Sequence, residues 1–265
     1  MIDSHCHLDL AAFSNDWTDE LQRAKKAGVT RLLVPGTQAG QWQQQQQQQL
    51  AKDASSIIPI DIALGAHPYF LHHDEDEKAL VRQLDVAFEE AVIAPVAVGE
   101  IGLDSHIDVP IETQKRCLQV QLNFAQQRQL PVILHHRKSH HRLLEALTKV
   151  NRHYGGVVHA FSGSIEVAKA YIHKGLYLGI GGTVTYPRAS KTRDTLAYLL
   201  HHFPGHLLLE TDAPDMPMFG RQGKRNSPAY LLDVVKTMAA LSEHSEQEII
   251  SFTTANYNRC FKGVE

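Results

Sequence analysis

His5-Cys6-His7 puts two imidazoles at positions i and i+2. In an extended segment such residues face the same way, so both rings can reach one cation while Cys6 turns from it. Alone, the pair also describes two ordinary polar residues at a strand end, so its meaning depends on its company. That company is Glu100, His135, His159 and Asp212. Imidazoles and carboxylates are the donors that hold zinc and other divalent ions. Four of the first and two of the second exceed the needs of one tetrahedral ion, whereas two ions sharing a carboxylate would use all six. Glu100, inside Val98-Gly99-Glu100-Ile101-Gly102-Leu103-Asp104, is the natural shared ligand; the competing reading is a buried carboxylate paired with a cation. Such a centre activates water for hydrolysis. Asp212, a ligand carboxylate able to hydrogen-bond that water, is the expected proton acceptor beside the catalytic Glu100.

Short apolar, β-branched runs alternate with longer amphipathic ones, the pattern of βα units in a parallel sheet. Eight strands are expected, at 1–4, 31–35, 60–65, 96–99, 131–134, 156–158, 176–180 and 207–209. Helices are expected between them at 16–27, 39–54, 75–89, 111–128, 139–152, 165–174 and 192–202, and after the last strand at 229–242 and 246–257. Eight pairs predict a single (β/α)8 TIM barrel over residues 1–265, although counting alone leaves a doubly wound sheet open. On this map the six candidate ligands fall at or just beyond carboxyl ends of strands, which in a barrel converge on one mouth. The glutamine run from Gln43 to Gln49 reads as a solvated helix face.

With 265 residues and 43% hydrophobic content, the chain can bury one large core. Its formal charge of −3 excludes a protein that coats nucleic acid by bulk charge. Its 17 scattered histidines are roughly three times ordinary usage, which sends attention to individual positions. Cys6, Cys117 and Cys260 form no zinc-type spacing and suit a reducing cytoplasm. No signal peptide or membrane span is expected, and no protein partner is indicated.

Six motifs together resemble the TatD family of metal-dependent hydrolases, in its YjjV branch. They are Ile2-Asp3-Ser4-His5-Cys6-His7-Leu8, Gly65-Ala66-His67-Pro68, Gly99-Glu100-Ile101-Gly102-Leu103-Asp104, Pro131-Val132-Ile133-Leu134-His135-His136-Arg137, His159-Ala160-Phe161-Ser162-Gly163 and Leu209-Glu210-Thr211-Asp212-Ala213-Pro214. The resemblance implies that His5, His7, Glu100 and Asp212 hold one ion, and Glu100, His135 and His159 the other. It also implies nuclease activity, typically on DNA and often from a 3′ end. Ala160, Tyr69 and His136 stand where the family often has a cysteine, a second histidine and a small residue. The last two lie at the mouth and bear on substrate preference.

Nine basic residues follow strands five, seven and eight: Arg137, Lys138, Arg142, Arg188, Lys191, Arg193, Arg221, Lys224 and Arg225. Charge focused there favours an anionic substrate, DNA or another phosphodiester, since Arg binds phosphate with two donors. His67, Arg137 and Arg225 are the expected substrate contacts. Asn226, beside Arg225, could instead orient Asp212, and Glu210 could be an anchor or a water-binding carboxylate. The other readings are hydrolysis of esters, lactones or amides, including deacylation of aminoacylated nucleic acid, and metal binding without turnover. Four imidazoles favour zinc in the isolated protein, with magnesium or manganese in function.

Overall fold

The computed structural model describes residues 1–149 and 155–262. Strand residues alternate between two environments. Leu32, Val34, Ile62, Val98, Val132, Leu134, Val158, Leu207 and Leu209 belong to the larger core cluster, with the apolar faces of the helices. Their neighbours Ile2, Leu33, Ala63, Ala97, Ile133, Val157 and Leu208 form a second cluster. A period of two with both faces apolar is what a parallel sheet covered by helices and closed on itself requires.

The strands are β1 (Ile2–Asp3), β2 (Arg31–Val34), β3 (Ile60–Leu64), β4 (Ala97–Asp104), β5 (Val132–Arg137), β6 (Gly156–Val158), β7 (Tyr177–Ile180) and β8 (Leu207–Leu209). They pair in chain order, each neighbour parallel to the last. The ends of the sheet are joined where Ser4 N–H donates to Leu209 O at 2.9 Å and Cys6 bridges Ala213. Asp3 adds a side-chain clamp, accepting from Thr211 N at 3.0 Å and Thr211 Oγ1 at 2.6 Å. The result is a (β/α)8 barrel, as the alternation predicts.

The helices are α1 (Trp17–Lys26), α2 (Gln41–Ala54), α3 (Glu77–Glu89), α4 (Ile111–Gln127), α5 (His140–Thr148), α6 (Ile165–Ile172), α7 (Ser190–His202), α8 (Leu231–Ala240) and α9 (Glu246–Phe261). The fifth was expected to run through 152, and residues 150–152 lie outside those described. A Ser245–Glu248 capping box starts α9, satisfying two backbone N–H groups reciprocally. Its far end brings Tyr257, Cys260 and Phe261 into the second core cluster, and Asn256 donates to the carbonyls of Pro204 and Leu207, both at 2.8 Å. No helix among the described residues is long and apolar enough to cross a membrane.

Two expectations need correction. Strands β4 and β5 run to Asp104 and Arg137, so Glu100 and His135 lie within strands rather than beyond their ends. A register shift between Val98 and Ile101 interrupts β4 at Glu100 itself. The glutamine run is not a solvated face either: Gln43, Gln44 and Gln47 are buried. Gln43 Oε1 accepts from the N–H groups of Thr37 and Gln38, while Gln43 and Gln47 donate to Asp9 Oδ2 at 3.1 and 3.2 Å. Gln47 also donates to Pro35 O, and Gln48 exchanges two bonds with Ile93. An amide both donates and accepts, so these residues satisfy loop backbone that an apolar helix would strand. Gln47→Ala should therefore cost about 1–3 kcal/mol in urea denaturation, whereas exposed Gln45→Ala should stay within about 0.5 kcal/mol.

Candidate metal centre

Each candidate ligand is set by backbone before its side chain is considered. His5 and His7 lie on the extension of β1, which is tied to the extension of β8 by Asp212 N to His5 O at 2.9 Å and His7 N to Ala213 O at 2.8 Å. One pair of bonds thus sets three candidate ligands. Glu100 N donates to Gly36 O at 2.6 Å, and Gly36 N to Gly99 O at 2.9 Å, although β3 separates their strands. Such an approach needs glycine. A Cβ on Gly36 would lie 2.8 Å from Gly65 N, and one on Gly65 would lie 2.8 Å from Gly99 Cα.

Glu100, 2% exposed, points its two oxygens at different sets of histidines. Oε2 lies 3.1 Å from His5 Nε2 and 3.5 Å from His7 Nε2. Asp212 Oδ1 is 3.6 Å from each of those nitrogens, which are 3.2 Å apart. Four donors bonding one ion at 2.0–2.2 Å stand about 3.3–3.6 Å apart in a tetrahedron, so these atoms fit a single cation. Oε1 lies 2.9 Å from His135 Nδ1 and 2.8 Å from His159 Nε2, nitrogens themselves 3.1 Å apart. His67 Nε2 is 3.4 Å from the same oxygen. Overlapping groups of three able to hold an ion are therefore His5, His7 and Glu100; His5, His159 and Asp212; and His67, Glu100 and His135. His67, read from sequence only as a substrate contact, stands within the cluster.

Charge in the cluster is far from ordinary. Burial would raise Glu100, but His159, His67 and His5 outweigh it and hold the carboxyl well below its usual range. Burial takes His5 down to about 4. Against the same burial, Glu100 and Asp212 hold His7 up at about 9, and Asp104 and Glu100 hold His135 up at about 9. Burial raises Asp212, only partly offset by His159 and His7, and raises Glu210 well above its usual value with Asp212 adding to the effect. Buried carboxylates this close disfavour joint ionisation without a cation between them.

Supporting residues were less legible. Asp104 Oδ2 lies 3.3 Å from His135 Nε2 and so can fix Nδ1 as the ligating atom; its place in the Glu100 motif was the only hint. Glu210 is fully buried behind His159, its Oε1 accepting from Ala160 N at 2.6 Å and lying 3.9 Å from His159 Nδ1. A Cβ on Gly179 would collide with its carboxylate. Asn226 Nδ2 donates to the carbonyls of Thr211 and Asp215, both at 2.8 Å, bracketing the turn on which Asp212 holds a φ of 58°. That region is uncommon for a residue with a side chain, and these bonds help to maintain it.

The cluster floors a cleft of about 850 Å³, lined also by Leu10, Tyr69, Phe70, Arg137, Lys138 and Met216. Arg225 is not there. Its guanidinium reaches Asp16 and Glu20 at 2.5 Å and lies 4.4 Å over the ring of Phe13. Its donors are engaged by carboxylates too distant in sequence to anticipate, so the expected substrate contact is corrected to a structural one. Arg221 pairs with Asp233, Arg193 donates to Val184 O and Arg142 to Ser105 Oγ. Of the nine basic residues, Arg137 and Lys138 line the cleft.

A (β/α)8 barrel with this donor set at its mouth defines a metal-dependent hydrolase. Residues 2–262 match the family model described as TatD related DNase, and the chain belongs to that family. It is 43% identical to the metal-dependent hydrolase YjjV of Escherichia coli (strain K12) over 94% of this chain and 92% of that one. The crystal structure of E. coli YjjV, a TatD homolog, superposes with a TM-score of 0.87 at 40% identity, covering 99% of this chain and 98% of the other. A Salmonella typhimurium protein named 3′-5′ ssDNA/RNA exonuclease TatD is 33% identical over the full length of both.

Removing the charge that orients His135 should weaken metal binding without removing a ligand. Asp104→Asn is expected to lower affinity for a divalent ion held by His135 about 10- to 100-fold, measured by competition with a chromogenic chelator.

Proposed function

We propose that this chain is a two-ion phosphodiesterase acting on DNA, with Glu100 as the shared ligand. His5, His7 and Asp212 would complete one site, and His135 and His159 the other. The observation that carries this is that the two Glu100 oxygens each lie 2.8–3.5 Å from a different set of imidazole nitrogens. Two divalent ions held there supply a water acidic enough to ionise near neutral pH and positive charge for the oxygens of the attacked group.

The chain's own residues do the remaining work. Asp212, whose Oδ1 stands 3.6 Å from the Nε2 atoms of both His5 and His7, takes the proton of the attacking water. Arg137 and Lys138 on the cleft wall neutralise a bound phosphate. His67 donates from the cluster edge to a phosphoryl oxygen. Asn226 and Glu210 keep Asp212 and His159 in place. The name of the Salmonella relative supports DNA or RNA as substrate. Zinc suits the imidazole-rich donors of the isolated protein, and magnesium or manganese suits a phosphodiesterase in action.

Hydrolysis of carboxyl esters or lactones on the same centre is the second reading, favoured by the apolar Leu10, Phe70 and Met216 in the cleft wall. End-labelled single-stranded DNA, RNA, a phenyl acetate and a lactone, each incubated with zinc, manganese or magnesium, separate the two. Cleavage of DNA that falls about 10²- to 10⁴-fold in Asp212→Ala is expected. Turnover of carboxyl esters alone would refute the phosphodiesterase.

A further inference from the structure

The described residues include six exposed large apolar side chains: Tyr69, Phe70, Val86, Val92, Met216 and Phe219. Three of them, Tyr69, Phe70 and Met216, line the one cleft that holds the ligand cluster, and Phe219 follows Met216 on the same loop. Scattered exposed apolar residues need no explanation, but a concentration at one rim does. The cleft is also several times larger than a phosphate group needs, at about 850 Å³.

The aromatic rings form a sequence leading outward from the centre. His67 lies 4.2 Å from His135 between ring centroids, Phe70 lies 6.1 Å from His67, and Tyr69 lies 5.2 Å from Phe70 at 77°. Backbone geometry fixes this row: His67 caps the turn that follows it by accepting from Tyr69 N at 3.1 Å, and Pro68 sets the next φ. Tyr69 remains 63% exposed, with Phe70 against it edge to face. An aromatic ring with open surface binds flat π-systems sequence-tolerantly, because every base has a face. It offers an alkyl chain only area.

We infer that Tyr69, backed by Phe70, is a base-stacking platform that holds the nucleobase adjoining the phosphodiester at the centre. This rests on the proposed phosphodiesterase reading and adds to it the part of the substrate that gives affinity. Lys138 and Arg137 grip phosphate, which is common to all nucleotides, and Tyr69 distinguishes a nucleotide from a bare sugar phosphate.

The test separates this subsite from the reaction. Zinc-loaded protein is titrated calorimetrically with thymidine 5′-monophosphate and with 2-deoxyribose 5-phosphate, in wild type, Tyr69→Ala, Tyr69→Leu and Tyr69→Phe. Wild type should prefer the nucleotide by roughly 5- to 150-fold, the range of one stacked base. Tyr69→Ala and Tyr69→Leu should abolish the preference, leaving the sugar phosphate bound as before, and Tyr69→Phe should keep it. No preference in wild type, or full preference in Tyr69→Leu, overturns the subsite. A preference lost in Tyr69→Ala while DNA is not cleaved would retain the platform and reject the nuclease. DNA cleavage without any preference would do the reverse. A variant that binds neither ligand while losing its near-ultraviolet circular dichroism is misfolded, and Tyr69→Phe against wild type then decides: a preference lost with one hydroxyl would also overturn stacking.

Discussion

A single buried carboxylate whose two oxygens meet different imidazoles is the constraint around which this barrel is arranged. Glu100 is 2% exposed, and its charge is held only because imidazoles surround it. Left unpaired in such a place, a carboxylate would take up a proton or destabilise the fold. The fold therefore has to bring histidines from β5, from the β6 end and from the β1 extension within about one hydrogen-bond length of it, and the parallel strands do so by converging.

Several otherwise odd features follow from that demand. Glycines at 36, 65 and 99 let backbone approach where side chains would collide, and the register of β4 breaks at Glu100. Gly179 leaves space for Glu210, which supports the segment after His159. The Asp3–Thr211 clamp and the His5–Asp212 backbone bond make barrel closure and ligand placement one event. Packing and chemistry thus share the same residues, and the supporting polar groups are as buried as the apolar core.

Strands were legible because their alternation reports burial on two faces, and the helices because their apolar period differs. The six candidate donors stood out because each falls at or beside a short apolar run, and the fold brings them together. The lengths of β4 and β5 were not legible, since polar Glu100 and His135 look like strand ends until the barrel supplies their neighbours. Glutamines 43 to 49 were misread for a related reason: composition suggests solvent, whereas Asp9, Pro35 and Ile93 provide partners that only folding assembles. Arg225 was misread because Asp16 and Glu20, about two hundred residues earlier, consume its charge. Asp104 became visible only when β4 was seen to continue beside His135.

If one carboxylate serves both halves of the centre, the two ions stand or fall with it. Anomalous diffraction at the zinc edge from crystals of zinc-soaked wild type and Glu100→Ala measures this directly. Two peaks are predicted in wild type, one among His5, His7 and Asp212 and one between His135 and His159, with both strongly depleted in the variant. A variant that keeps either peak at full occupancy, in an intact barrel, would contradict the account.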